Sequence, residues 1–294
     1  MINNSHKAGF VSIVGKPNVG KSTLMNRMVG EKVSIITSKA QTTRHRIMGI
    51  LNGDDFQIVY SDTPGIIEPK YELHKSMMRF VSHSLEDADI ILFVTDIYEK
   101  YDEDEVIKRL NHAEVPVYLL INKIDQVKEE QEVFDKINYW KEKINVKEII
   151  PISALEGFNI ERIFNLIMEH LPEHPAYYDK EELSDKPEKF FAAEIIREKI
   201  FNNYKKEVPY SCQVVITDFI DEEDILRMRA QIFVERESQK GILIGKKGEA
   251  LKKIGTEARL EMEKFFGKKV FLEQHVKVEP DWRSQQKKLK NFGY

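Results

Sequence analysis

The chain has 294 residues, a formal net charge of −4, 32% charged and 41% hydrophobic residues, and a single cysteine, Cys212. That length is about twice a usual single domain, so two domains are expected. One cysteine excludes an internal disulfide framework or a cysteine-cluster zinc site and suits a reducing compartment; the longest apolar runs, such as Ile90–Val94, fall far short of the roughly 20 residues of a membrane span.

Residues 1–8 are polar and do not read as a signal peptide. From Gly9 to Leu171 short apolar runs alternate with helical patterns. Gly9–Val14, Phe56–Ser61, Ile90–Thr95, Val117–Ile121 and Glu148–Ile152 are expected as buried strands. Lys21–Val29, Tyr71–Leu85, Asp104–Asn111, Glu132–Lys143 and Ile160–Leu171 have helical spacing. This rhythm predicts an α/β domain over residues 1–172, a mostly parallel sheet with helices on both faces.

Gly15-Lys16-Pro17-Asn18-Val19-Gly20-Lys21-Ser22, with Thr23 after it, follows the first strand and opens the first helix. That is the context of a phosphate-binding P-loop: curled backbone N–H groups and the helix N-terminus face phosphate oxygens. Lys21 is placed to reach the β- and γ-phosphates and the Ser22 hydroxyl to ligate magnesium. Asp62-Thr63-Pro64-Gly65 follows the second predicted strand; Asp62 would hold magnesium through water and the Gly65 N–H would sense the γ-phosphate. Between them lies Ser38–Arg46, where a threonine would close over magnesium and phosphate; spacing leaves Thr42 and Thr43 both open. Glu68–Lys75 is expected as a second segment that moves with nucleotide state.

Asn122-Lys123-Ile124-Asp125 follows the strand Val117–Ile121. A carboxylate at Asp125 can accept both hydrogen bonds offered by guanine's ring N–H and amino group; adenine offers no such pair. Asn122 would tie this loop to the P-loop, Lys123 would cover the base, and Ser153-Ala154 would supply a backbone N–H to the guanine oxygen. The combination implies a guanine-nucleotide site.

Residues 173–189, with Pro175 and Pro187 among charges, are expected as a linker. Beyond it the order changes: a helix over 190–204, strands over 211–220 and 227–235, a short helix reaching Gly245, a long helix over 249–266 and a strand over 270–279. This is an α+β domain over 190–294. Charge divides the same way: residues 186–294 hold 23 Lys+Arg and 18 Asp+Glu, the first 185 hold 22 and 31, and Lys240–Lys269 holds 9 basic and 4 acidic residues. A polyanion partner for the second half follows.

Ile244-Gly245-Lys246-Lys247-Gly248 leads into a helix with Leu251, Ile254, Ala258, Met262 and Phe265 on one predicted apolar stripe. The frame resembles the I-G-x-x-G-x-x-[LI]-x-x-I signature of KH domains, type II by its order of elements. There the GXXG loop lets the backbone approach a sugar-phosphate chain, with Lys246, Lys247, Lys252 and Lys253 meeting phosphates. Cys212 is expected as a small core residue in a strand, Trp282 as a packing anchor, Arg283–Lys290 as a solvated basic end and His45 as loop surface.

The markers GKPNVGKS, KAQTTRHR, DTPG, NKID, PISAL and the KH signature together resemble the translation-factor-like GTPases, and within them the Era family, over nearly the whole chain. The resemblance favours Thr43 over Thr42 as the magnesium ligand. It implies a catalytic set of Lys21, Thr43, Gly65 and Asn18, with Asn18 helping to hold a potassium ion. Ile66 stands where Ras-like enzymes place a water-orienting Gln, so intrinsic hydrolysis should be slow. The resemblance further implies that the KH domain binds the 3′ end of small-subunit ribosomal RNA and that the chain serves small-subunit assembly. It also implies a cytoplasmic monomer with peripheral contact to the inner face of the membrane. The competing readings are a GTPase whose second domain recruits a protein or membrane partner, an RNA-binding module with a structural nucleotide site, and a metabolic kinase, in which NKID would have no role.

Overall fold

A computed structural model describes residues 6–99 and 104–294; Met1–Ser5, part of the expected first domain, lie outside them. The chain divides into two compact units, Met1–Glu68 with Met77–Asp185, and Pro69–Ser76 with Lys186–Tyr294.

The first part of the chain runs β1 (Lys7–Val14), α1 (Lys21–Val29), β2 (Ile47–Asn52), β3 (Phe56–Asp62), α2 (Glu72–Glu86), β4 (Ile90–Asp96), α3 (Asp104–Asn111), β5 (Val117–Asn122), α4 (Glu130–Lys141), β6 (Glu148–Pro151) and α5 (Ile160–His170). The strands form one sheet in the order β2-β3-β1-β4-β5-β6. All five predicted strands are present and pair in parallel. The central ones are continuous apolar runs because both faces are covered: every residue of β5 is buried, as is β4 as far as Thr95. β2 is an addition to the expected strands. It is an antiparallel edge strand on β3, inside a stretch whose sequence reads as a loop. The chain turns to β3 on one side of β1 and to β4 on the other, so a crevice opens at the carboxyl end of β1, where α/β sheets bind ligands. The loops after β1, β3, β5 and β6 carry the nucleotide motifs apart from Ser38–Arg46, which lies between α1 and β2.

The segment expected as a linker is fastened to this sheet as far as Asp185. Ser184 forms a bridge with Gly49 of β2, the Met48 N–H donates to Asp185 Oδ1 at 2.9 Å, and Gln57 Oε1 accepts the N–H groups of Tyr177 and Tyr178 at 2.7 and 3.0 Å.

The second part runs α6 (Glu188–Asn203), α7 (Val208–Ser211), β7 (Gln213–Asp221), β8 (Ile225–Val234), α8 (Glu237–Ile244), α9 (Glu249–Phe266), β9 (Lys269–Val278) and α10 (Gln286–Asn291). β8 is central, antiparallel to β7 and parallel to β9. One face of this sheet is covered by α6 and α9, whose Ala192, Ile196, Ile254, Ala258 and Met262 share a core with Met228, Ala230 and Ile232.

Four expectations shift here. Phe265 is 40% exposed and contacts Phe191, with ring centroids 5.4 Å apart, while Phe266 packs on the core. At about 100° per residue position 265 keeps the phase of 254, 258 and 262 while 266 lies about 80° from it, so the exchange belongs to the last turn of α9, which Gly267 ends at φ 67°. Cys212 is buried but precedes β7, its thiol donating to Val208 O. His45 is half-buried and lies 5.8 Å from the Phe80 ring. The basic end is not merely solvated. Trp282 is fully buried and its indole N–H donates to Ser211 O at 2.9 Å, Leu289 is buried in α10, and Arg283 pairs with Glu235. No described helix is long and apolar enough to cross a membrane.

Candidate functional site

The cleft at the carboxyl edge of the first sheet has a volume of about 520 Å³, and Lys21, Ser22, Thr43, Gly65, Lys123 and Leu155 contribute to its walls. Its floor is the P-loop, which reverses direction through Gly15 and Asn18, both at positive φ, before Gly20 leads into α1. Pro17, Val19 and Thr23 complete the turn, with Val19 buried. The chain after β3 lies against this loop. The Ile66 N–H donates to Gly15 O at 3.0 Å, and a Cβ on Gly65 would sit 2.6 Å from Pro17 N. Only glycine brings that backbone so close. Ile66 itself turns into the core with Val14, Val81 and Phe93.

Lys21 is buried, and its ammonium donates to Lys16 O at 2.8 Å. Desolvation lowers its pKa to about 8 against the raising fields of Asp62 and Glu99. Asp62 is fully buried, and that burial raises its pKa against the opposing pull of Lys21 and of three hydroxyls. Asp62 Oδ2 accepts from Ser22 Oγ at 2.7 Å, Ser34 Oγ at 2.7 Å and Thr43 Oγ1 at 3.2 Å. Ser22 and Thr43 hydroxyls are 3.0 Å apart. The Thr42 hydroxyl instead donates to Lys39 O at 2.7 Å. Of the two threonines, Thr43 is therefore the one grouped with Ser22 and Asp62. Asp62 Oδ1 is buried and has no hydrogen-bond partner. A buried carboxylate oxygen left open beside two hydroxyls is an all-oxygen, hard donor set, and it fits a magnesium ion.

Asn122 joins the base segment to the rest. Its amide donates to Val19 O at 2.8 Å and accepts the Ala154 N–H at 3.0 Å. Lys123 sits at positive φ and reaches Asp96 Oδ2 at 2.7 Å. Asp125 Oδ1 accepts the Ser153 hydroxyl at 2.6 Å. The backbone N–H expected to meet a guanine oxygen is thus engaged at Ala154 with Asn122, and at Ser153 with Phe158 O at 3.3 Å. The motif's internal bracing takes both. Asn18 reaches Ser38 O at 3.1 Å. Ser34, Asp96 and Glu99 join the site without a sequence signal. Each lies outside the motif strings and gains its place from residues distant in sequence.

In the second unit the Gly245–Gly248 loop joins α8 to α9. Gly245, Lys247 and Gly248 have φ of 72°, 52° and 80°. A Cβ on Gly245 would meet Ala250 at 2.6 Å, so the tight loop requires glycine there. Lys246, Lys247, Lys252 and Lys253 are exposed, and Ile244 is half-buried. Gln239 Oε1 accepts the N–H groups of Glu235 and Arg236, each at 3.0 Å, which fixes the entry to α8.

These two sites match known proteins part by part. A family model described as 50S ribosome-binding GTPase matches residues 10–123, and a KH domain model matches residues 207–283. GTPase Era of Staphylococcus haemolyticus (strain JCSC1435) is 44% identical over 292 residues, covering 98% of this chain and 97% of that protein. The crystal structure of a point variant of Aquifex aeolicus Era bound to GDP·AlF4⁻ is 42% identical with a TM-score of 0.91, covering 98% of this chain and 99% of that one. The structure of Era in complex with MgGDPNP and nucleotides 1506–1542 of 16S ribosomal RNA is also 42% identical, with a TM-score of 0.92 and the same coverages. An unbroken likeness of that depth across both units means that this chain belongs to the Era family of GTPases.

Proposed function

We propose that the chain hydrolyses GTP slowly in its first unit and binds the 3′ end of 16S ribosomal RNA through its second, serving small-subunit assembly. The observation that carries the first half is one cleft walled by Lys21, Ser22, Thr43 and, from the NKID segment, Lys123, with Asp62 hydrogen-bonded to Ser22 and Thr43. The full-length relative solved with MgGDPNP and nucleotides 1506–1542 of 16S ribosomal RNA supports the second half. The lysines of the GKKG loop supply the charge that a sugar-phosphate chain requires.

Lys21 would bind the β- and γ-phosphates, and the P-loop N–H groups from Gly15 to Thr23 would cradle them. Ser22 and Thr43 would hold magnesium directly and Asp62 through water. That ion, when bound, neutralises charge on the phosphates. The Gly65 N–H would meet the γ-phosphate. With Ile66 turned into the core, no side chain at that position orients the attacking water, which accounts for slow turnover. Asn18 would help hold a potassium ion beside the phosphates, so turnover in potassium should exceed turnover in sodium at equal ionic strength; equal rates would remove that ion from the mechanism. Replacing Ser22 by Ala should raise the magnesium concentration needed for half-maximal nucleotide binding by at least about tenfold, read by titration with a fluorescent GDP.

The family resemblance also carries the expectation of a cytoplasmic monomer with peripheral contact to the membrane, which co-sedimentation with anionic vesicles tests. The reading as a whole is tested by binding an oligonucleotide matching nucleotides 1506–1542 against a scrambled one at fixed salt. A preference for the matched sequence supports it. Equal weak binding would reduce the second unit to a generic basic surface or a protein-recruiting one.

A further inference from the structure

The turn after β4, Asp96–Glu99, belongs to none of the recognised motifs, yet it touches two of them. On one side it is fastened to the base segment. The Ile97 N–H donates to Asn122 O at 3.2 Å, Lys123 Nζ reaches Asp96 Oδ2 at 2.7 Å, and the Tyr98 hydroxyl donates to Gln126 O at 2.7 Å, next to Asp125. Asp96 Oδ1 accepts the N–H groups of Tyr98 and Glu99 at 3.0 and 2.8 Å, which closes the turn. On the other side the Glu99 carboxylate faces Lys16 of the P-loop, with Lys16 Nζ 3.8 Å from Oε1 and the two side chains only 21% and 10% exposed. Glu99 is held in that position. The Thr95 hydroxyl donates to its Oε2 at 2.8 Å, and Lys136 from α4 donates to its backbone oxygen. Lys16 in turn offers its carbonyl to the Lys21 ammonium.

A carboxylate beside a phosphate cradle opposes anion binding by simple electrostatics. Its presence there is explained if it does something that outweighs the repulsion. We propose that Glu99 is a positioning residue for nucleotide binding: it fixes Lys16, and with it the P-loop backbone that anchors Lys21, while the turn it belongs to joins that cradle to the base-reading segment 122–126. The inference rests on the nucleotide-site reading above and extends it to a strut linking phosphate and base recognition.

The sign of one substitution separates positioning from field. Fluorescent GDP and GTP-analogue affinities and dissociation rates are measured on the full chain, as wild type, Glu99→Gln, Lys16→Met and the double variant, each with its thermal unfolding curve. If Glu99 positions, Glu99→Gln weakens both nucleotides about tenfold, mainly through faster release, which is the order expected for one partly buried charge-assisted interaction. The double variant is then no weaker than the worse single one, because both act along one path. Unchanged or tighter binding by Glu99→Gln overturns the proposal, as does full additivity in the double variant. Should Glu99→Gln lower the melting temperature markedly, Lys16→Met tests the same ion pair from its more exposed side: it must weaken binding with the wild-type melting curve retained, and unaltered binding overturns the proposal. A wild-type chain that binds no guanine nucleotide would instead sink the site assignment itself.

Discussion

Replacing Asp125 by Asn should weaken GDP and GTP binding by about 10³-fold or more and move the preference to xanthine nucleotides. The carboxylate accepts the Ser153 hydroxyl on Oδ1 at 2.6 Å, which leaves it acceptor capacity for guanine's paired donors. An amide there sets a donor against a donor, and a polar group covered by the base without a partner is what produces discrimination of that size. Xanthine carries an oxygen where guanine carries the amino group, so the amide nitrogen regains an acceptor. Competition of GDP and XDP against a fluorescent nucleotide measures both changes. Loss of both ligands together would mean that the 122–126 segment had collapsed, and retained GDP affinity would mean that Asp125 does not read the base.

The second large effect is expected at the GKKG loop. Lys246→Asp together with Lys247→Asp should weaken RNA binding by at least about 100-fold near physiological salt. The slope of log affinity against log salt should become shallower by roughly 1.5 to 2, because each lysine removed leaves one phosphate without its counter-charge. Neither side chain is buried, and the glycines that set the loop's backbone remain, so folding stability should change by no more than about 0.5 kcal/mol. Filter binding across a salt series, with a thermal melt as control, separates a missing charge from a disrupted fold. An unchanged affinity would direct attention away from this loop.

What the sequence reveals here depends on the range of the interaction. The four inner strands are legible because burial on both faces makes them largely apolar runs, and the short edge strand β6 by its place in the alternation of strands and helices. β2 is not, because Ile47–Asn52 is an edge strand whose identity comes from pairing with β3 and from the chain near Ser184. Motif residues are legible because phosphate and guanine chemistry fixes both type and local spacing. Ser34 and Asp96 are ordinary polar residues until folding brings them to Asp62 and Lys123. The choice between Thr42 and Thr43 is of the same kind. Spacing leaves these neighbours equal and only the family resemblance favours Thr43; in the fold the Thr43 hydroxyl meets Asp62 while that of Thr42 meets Lys39 O. At Phe265 the helical period points to the apolar stripe, yet in the last turn of α9 it is Phe266 that packs on the core and Phe265 that is exposed. At the C-terminal end the lysines dominate the sequence pattern, whereas Trp282 and Leu289 are the residues that anchor the segment.

A guanine-nucleotide switch joined to an RNA-binding domain should couple its two ligands. The most direct test is the affinity of the full chain for the 16S 3′-end oligonucleotide with a non-hydrolysable GTP analogue and magnesium, compared with GDP, at one salt concentration. Binding should be tighter in the GTP-analogue state, with the reciprocal gain in GTP-analogue affinity when RNA is present that thermodynamic linkage requires. Identical RNA affinity in both nucleotide states would contradict the switch, leaving two independent binding sites on one chain.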